Sequence, residues 1–305
     1  MNKRRYFNSP AICRRKNITK SASSLRPLRY RNFKERALMR PYNIMAGVCL
    51  TALLASCEKE LDFKYHDIPP LTVIEAELTP QGAKVGITLT TPMDEPMDRT
   101  LLTDASVTLT DVTDGIVYTL HADDSGFFRD TTPGITGHDY RLSVVRGDNH
   151  YEAIARMYPP VEIESLEFSW VRMPYDHVAA LQCRFRGNTA TGGDCYWIRL
   201  YRNGDIYKWG EMDSRSAVDG ISTYFTMTTR TDTDEEDADT VLYDGDVITC
   251  TVTVISREMH DYLEALQHDS NGPAMFTGDL CLGYFMATSP VSASVTFHPD
   301  KIPYF

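Results

Sequence analysis

From Leu71 onward the chain is a succession of short runs rich in Val, Ile, Thr and Tyr, punctuated by Gly, Asp, Asn and Pro. Runs of this length and composition read as strands, and their density leaves little room for any other element. The first set comprises Leu71–Leu78, Ala83–Thr91, Ser106–Val112, Ile116–Ala122, Phe127–Asp130, Tyr140–Val145 and Tyr151–Tyr158. Seven runs in about ninety residues is the density of an immunoglobulin-like sandwich. Pro159-Pro160 then interrupts the pattern, because paired prolines cannot continue a ladder. The second set comprises Val161–Trp170, Val178–Arg186, Cys195–Arg202, Asp205–Gly210, Ile221–Arg230, Val247–Ile255 and a β-rich close over Leu280–Phe297.

The expected fold class is therefore all-β, with two β-sandwich-like domains. An immunoglobulin-like sandwich is expected over residues 71–159 and a second β-rich domain over 160–305. A single helix is predicted in the second domain over 257–268. Met259, Tyr262, Leu263 and Leu266 recur there at helical spacing, Ser256 can cap the start, and Asn271-Gly272-Pro273 can end it.

Two hairpins have a register that can be read in advance. Asp114-Gly115 suits a two-residue turn, which pairs Leu109 with Leu120, Asp111 with Tyr118 and Val107 with Ala122 on one face, and Thr108 with His121 and Thr110 with Thr119 on the other. Arg202-Asn203-Gly204-Asp205 predicts a second hairpin. Its inner face carries Tyr196, Ile198, Leu200, Tyr207 and Trp209, and its outer face carries Trp197, Arg199, Tyr201, Ile206 and Lys208. Gly137-His138-Asp139-Tyr140 fits either the tyrosine corner that opens a late sandwich strand or a tyrosine packed at a strand end.

Charge divides the chain sharply. Residues 1–56 hold thirteen Lys/Arg against the single acid Glu35, whereas residues 57–305 carry a net charge of −23. A body this acidic repels phosphate backbones, so nucleic acid is excluded as a partner. Within the basic segment, Ile44–Ala55 is an uncharged apolar stretch of twelve residues. That is too short for a bilayer span of about 20 residues but right for a signal-peptide core. It ends in Leu54-Ala55-Ser56-Cys57, which resembles a bacterial lipobox: Leu54, Ala55 and Ser56 suit the signal peptidase, and the Cys57 thiol accepts diacylglycerol. Residues 1–56 thus read as a basic arm and lipoprotein signal peptide, with both Met1 and Met39 as available translation starts. Residues 57–70 read as lipid anchor and tether, with Cys57 first in the mature protein and the membrane reached through acyl chains.

Candidate chemistry is sparse. His260, Glu264 and His268 lie four residues apart on the predicted helix, on a side expected to be solvated. This spacing matches no zinc signature, and no metal site is expected from it. Asp232, Asp234, Glu235, Glu236, Asp237 and Asp239 crowd one segment, but the glycine and terminal glutamate of an EF-hand loop are missing. Cys183, Cys195, Cys250 and Cys281 allow three complete pairings, and alternation points Cys183 and Cys250 into the core. Free buried thiols and bridges both remain open. No nucleophile elbow, phosphate-binding loop or zinc-protease motif is present, so neither enzymatic activity nor a cofactor is expected. The outward Trp197, Tyr201 and Ile206 form the possible binding face. It suits stacking on sugars or a partner's apolar side chains, unless it lies under the helix as a second core layer.

Four features occur in order: Leu-Ala-Ser-Cys57 followed by Glu-Lys-Glu-Leu; Leu71-Thr-Val-Ile-Glu-Ala-Glu-Leu78; Gly137-His-Asp-Tyr-Arg-Leu-Ser-Val144 before Tyr151-Glu-Ala153 and Pro159; and Leu-Gly283-Tyr-Phe-Met-Ala287. Together they resemble the Bacteroidota lipoproteins grouped as domain of unknown function 4249, over Cys57 to about Thr296. One departure is Phe276-Thr-Gly-Asp-Leu-Cys-Leu before Gly283, where an Asn followed by an apolar residue is expected. The resemblance implies an outer-membrane lipoprotein, often associated with TonB-dependent transporters, with no established activity and no catalytic residues. The expected function is a non-enzymatic accessory or ligand-binding partner of such a transporter. A fimbrillin-like structural subunit, with Arg99 or Arg129 as processing site, and a surface glycan-binding module are the alternatives.

Overall fold

Period-2 alternation decides most of the elements. In Thr72–Thr79, for example, Ile74, Ala76 and Leu78 point inward and are essentially inaccessible, while Glu75 between them is exposed. The computed structural model describes residues 69–92, 95–96, 99–174, 177–187, 195–230, 241–270 and 272–303. In chain order the strands begin with β1 (Thr72–Thr79), β2 (Gly82–Leu89), β3 (Ser106–Asp111), β4 (Ile116–Ala122), β5 (Phe128–Asp130), β6 (Asp139–Arg146), β7 (Asn149–Arg156) and β8 (Glu162–Arg172). They continue with β9 (His177–Arg186), β10 (Cys195–Arg202), β11 (Asp205–Asp213), β12 (Ile221–Arg230) and β13 (Val247–Ile255). Helix α1 (Arg257–Gln267) follows, then β14 (Thr277–Gly278), β15 (Cys281–Ala287) and β16 (Val291–Thr296). Among the described residues the fold is all-β apart from α1 and short 3₁₀ turns; most expected strands lie within one or two residues of the observed ones, but β11 runs three residues past the expected Gly210 and β14 was not expected.

The strands form two sandwiches. In the first, nine strands run β14-β7-β6-β3-β4-β5-β2-β1-β15. This sheet folds over so that Ile74, Ile87, Leu109, Leu142, Tyr151 and Phe285 share one core. The Tyr151 hydroxyl donates to Thr72 Oγ1 at 3.0 Å, tying β7 to β1 across that core. The second sandwich packs a three-stranded sheet, β12-β9-β8, on a four-stranded one, β11-β10-β13-β16. Its core includes Leu181, Phe185, Tyr196, Ile198, Leu200 and Val252.

The division expected at 159/160 marks where the chain leaves the first sheet, but 160–305 does not stay in the second sandwich. The closing β-rich stretch splits. β15 runs parallel to β1, β14 pairs with β7, and only β16 joins the second sandwich, beside β13. Parallel neighbours need a long crossover, and between β1 and β15 the chain passes through β2–β7 and then through β8–β13 of the second sandwich. A strand's own residues do not say which sheet it will join.

The β3–β4 register also departs from expectation. Val107 pairs with Leu120, Leu109 with Tyr118 and Asp111 with Ile116, leaving a four-residue loop, Val112–Gly115. The cause is Asp111, whose Oδ1 accepts the Thr113 and Asp114 amides at 3.0 and 3.1 Å while its carbonyl accepts from Gly115. This Asx turn begins the loop two residues before the expected one. A shift of two residues preserves the faces, so the apolar match survived the error.

In the β10–β11 hairpin the turn lies where predicted, at Asn203-Gly204. An irregularity between Leu200 and Tyr201, opposite Tyr207, then changes the phase of β11. Tyr207 packs on the sandwich core as expected, but Trp209 lies opposite Arg199 and joins the other face.

Helix α1 is capped by Ser256, whose Oγ accepts from the Met259 amide at 3.1 Å. Its buried face is Met259, His260, Leu263 and Ala265, so the apolar stripe is rotated from the predicted one, and Leu266 is exposed.

Candidate functional site

The possible binding face starts from β10, whose residues Cys195–Leu200 are all buried. A central strand covered on both sides shows this pattern. Tyr196, Ile198 and Leu200 point into the second sandwich, while Cys195, Trp197 and Arg199 point the other way. That outer face is closed. Met259 and Leu263 of α1, with Tyr284 and Met286 of β15, cover it, leaving Trp197 5% exposed. The indole meets Trp209 and Tyr284 edge-on, with ring centroids 6.4 and 6.0 Å away.

Arg199 is 4% exposed, and its guanidinium carbon stands 4.6 Å from the Trp197 ring centre. Its Nη2 donates to Thr253 Oγ1 at 3.3 Å and lies 3.4 Å from Glu77 Oε1 of β1. Burying a guanidinium is costly unless its charge is paired, and Glu77 supplies the pair from the first sandwich. The Tyr284 hydroxyl is pushed well above its ordinary range by complete burial and by the nearby Glu75 and Glu77 charges. Trp197 is therefore corrected from binding face to mortar between the first sheet and the four-stranded sheet. Tyr201 and Ile206 pair with each other and are half-buried. The glycan-binding alternative loses its main residue.

The helix triplet separates. His260 is buried instead of solvated, with its Nδ1 3.3 Å from Asp261 Oδ1. His260, Asp261 and Glu264 bring donor atoms within 4.8 Å of one another, while His268 is not part of the group. Asp261 and Glu264 are exposed, so water competes for both carboxylates. The acidic segment 232–239 and the lipobox residues Leu54, Ala55, Ser56 and Cys57 lie outside the described residues. Cys183 and Cys250 are fully buried in the second sandwich, as their alternation predicted. Cys195 sits beside Trp197, and Cys281 packs against the first core.

A Ser–His contact missed in the sequence occurs on the outer surface of β6 and β7. Ser143 Oγ is 3.1 Å from His150 Nε2, and Glu152 Oε1 is 3.6 Å from the same nitrogen. A catalytic triad instead engages the two ring nitrogens separately, one by the nucleophile and one by the orienting acid. His150 is exposed and Ser143 and Glu152 are half-buried, and the arrangement reads as a surface polar contact.

A polar cluster joins Asp111, His138 and Tyr140. Tyr140 is buried, and its hydroxyl accepts from the Ile135 amide at 2.8 Å, which makes it a tyrosine corner. His138 Nδ1 lies 2.8 Å from Asp111 Oδ2. Burial alone would raise the Asp111 carboxyl, but hydrogen bonds from His138 and the Asp114 amide outweigh it and hold the group below its ordinary 3.8. The same hydrogen bond raises His138 above its ordinary 6.5. Asp114 brings a third donor near, but Asp111 already holds two amides and a histidine. The motif around Tyr140 was visible in the sequence, whereas Asp111, 27 residues before His138, carried no signal.

The signs of these shifts fix a pH window. Asp111 contributes stability above about pH 4 and loses it as pH falls through its lowered value. His138 contributes below about pH 6.5 and loses it as pH rises through its raised value. The pair is fully engaged between those limits. Asp111→Ala should cost about 2 kcal/mol there, because two amides and His138 lose their acceptor. The urea midpoint difference from wild type should shrink at pH 9 and at pH 2.5. A pH-independent difference would show that the His138 contact contributes nothing.

Residues 58–294 match the family model described as a domain of unknown function, DUF4249. No curated protein matches the sequence. Among solved structures, the BSP domain of a biofilm-associated protein is similar at 13% identity and TM-score 0.22, covering 60% of this chain and 27% of that one. The chain thus spans about a quarter of that relative's length. A two-domain fibronectin type-III segment from chicken tenascin is similar at 10% identity and TM-score 0.23, covering 75% of this chain and 99% of that one. Neither likeness bears on activity.

Proposed function

Since the chain belongs to the DUF4249 family, whose description assigns no activity, we propose that it is a non-enzymatic, lipid-anchored accessory protein of the bacterial outer membrane that holds a TonB-dependent transporter or its nutrient ligand. The observation that carries this reading is Leu54-Ala55-Ser56-Cys57 placed directly after a twelve-residue apolar core with a basic flank. No helix among the described residues is long and apolar enough to cross a membrane, so an acyl anchor is a fitting means of attachment. The tether of residues 58–70 can extend at most about 45 Å, which keeps the β-sandwiches close to the bilayer.

Mass spectrometry of the mature N-terminus should find Cys57 bearing diacylglycerol. Cys57→Ala should leave an uncleaved precursor and abolish recovery in the outer-membrane fraction. An unmodified Cys57 in the wild-type protein would overturn the anchor. Purification of the native complex in mild detergent should bring down a TonB-dependent transporter, and repeated isolation of the protein alone would overturn the partner.

A further inference from the structure

Strand order places two cysteines opposite each other in the second sandwich. Cys183 occupies the middle of β9, between Leu166 of β8 and Tyr224 of β12. Cys250 lies in β13, between Leu200 of β10 and Ala293 of β16. Each is thus on an interior strand of its sheet, and the two sheets face each other across one core. Both side chains have zero exposure, and the two thiols are hydrogen-bonded to each other. Cys195 and Cys281 lie against two other cores. Three complete pairings are open to four cysteines, and the fold puts both members of the Cys183–Cys250 pair into one core.

We infer that Cys183 and Cys250 are joined by a disulfide in the exported protein, a covalent staple between the two sheets of the second sandwich. The inference rests on the proposed export, because the cytosol keeps thiols reduced whereas envelope compartments allow disulfides. The structure holds the pair as thiols within the one core. Antibody domains place their inter-sheet disulfide in the same way, linking one interior strand of each sheet.

The chemistry is thiol–disulfide exchange with a disulfide-bearing oxidant, either an envelope oxidoreductase or glutathione disulfide. One cysteine thiolate attacks the oxidant's disulfide and expels one of its sulphurs as a thiol, forming a mixed disulfide. The second thiolate attacks the protein sulphur of that mixed disulfide, expels the other oxidant sulphur and closes the Cys183–Cys250 bond. The two cysteine protons and two electrons end on the oxidant, as the dithiol of an oxidoreductase or as two glutathione thiols. In the closed sandwich both sulphurs have zero exposure, so an oxidant's disulfide cannot reach either of them. Oxidation therefore belongs to the folding chain, before the sheets close, and the finished bond is shielded from reductant.

The test uses the full-length chain with its own signal, recovered from the membrane fraction of a bacterial host. It is denatured with free thiols trapped, then mapped as tryptic peptides without reduction. The expected result is a peptide pair linked through Cys183 and Cys250 that separates on reduction. It should be lost in both Cys183→Ala and Cys250→Ala, and kept in Cys195→Ala and Cys281→Ala. Reduction under denaturing conditions, trapping and refolding should lower the melting midpoint by about 10 °C, given the loop of about 67 residues that the bond closes. Both cysteines fully trapped as free thiols in the membrane-bound form, or linked to other partners, would overturn the bridge. If the chain never reaches the membrane fraction, the export reading fails on its own. The purified full-length chain refolded in glutathione and glutathione disulfide then decides the bridge: the linked peptide supports it, and free Cys183 and Cys250 overturn it.

Discussion

Gly283→Ala is expected to lower the unfolding free energy by about 4 kcal/mol. Gly283 lies in β15 opposite Ile74 of β1, with φ of +104°. An L side chain rarely adopts that conformation, and the strain alone costs about 1–2 kcal/mol. Space makes matters worse. A Cβ built there overlaps the Ile74 carbonyl oxygen and stands 2.7 Å from its carbon and 2.9 Å from its nitrogen. These are backbone atoms, and β1 is held on its far side by β2, so it cannot retreat without loosening a second ladder. Gly115 is a built-in control. Its φ is +72°, but nothing lies within 4 Å of its Cβ position, so Gly115→Ala should cost only about 1 kcal/mol. Urea unfolding of the two variants separates strain from collision. Equal midpoints would show that β15 does not approach β1 this closely.

Trp197→Ala should cost about 3–5 kcal/mol, the range for removing a large buried aromatic side chain. The indole fills the space between β10, α1 and β15, where Trp209, Tyr284 and Met259 meet it. Its loss opens a void at the seam between the two sandwiches and removes the ring face on which Arg199 rests. Trp197→Phe retains part of the filling and should cost about half as much. Calorimetry or denaturant titration measures both. A variant that keeps wild-type stability yet loses retention on a polysaccharide gel would place the ring on the surface and restore the glycan reading.

How far the sequence could be read depended on whether a feature is local. Alternation along β1 or β13 is local, so strand positions and inward faces were legible within a residue or two. So was the Ser256 cap, which needs only its own helix start. The tyrosine corner was half legible: the motif announced Tyr140, while its partners Ile135 and Asp111 depended on the turn geometry around it. Misreadings came where one side chain or one extra residue altered a local rule. Asp111 captured two amides and lengthened a turn, and the irregularity opposite Tyr207 carried Trp209 to the other face.

The exposed Trp197 face was the most consequential misreading. Alternation correctly put Trp197 on the side away from the second core, but it cannot tell an outer face from one that another layer will cover. His260 repeats the lesson on α1: a polar residue read as solvated is buried because the helix packs with a rotated face.

The amino-acid sequence alone determined an all-β body with strands at defined positions, one capped helix and a cysteine pair aimed at a core. Each of these follows from a periodicity of two or 3.6 residues, or from chemistry within a single turn. Tertiary structure alone decided that β15 returns to β1, that Trp197 is sealed between layers, and that Cys183 meets Cys250. Those outcomes depend on which distant backbones approach one another, and a strand's edge offers the same row of amides and carbonyls to every candidate neighbour.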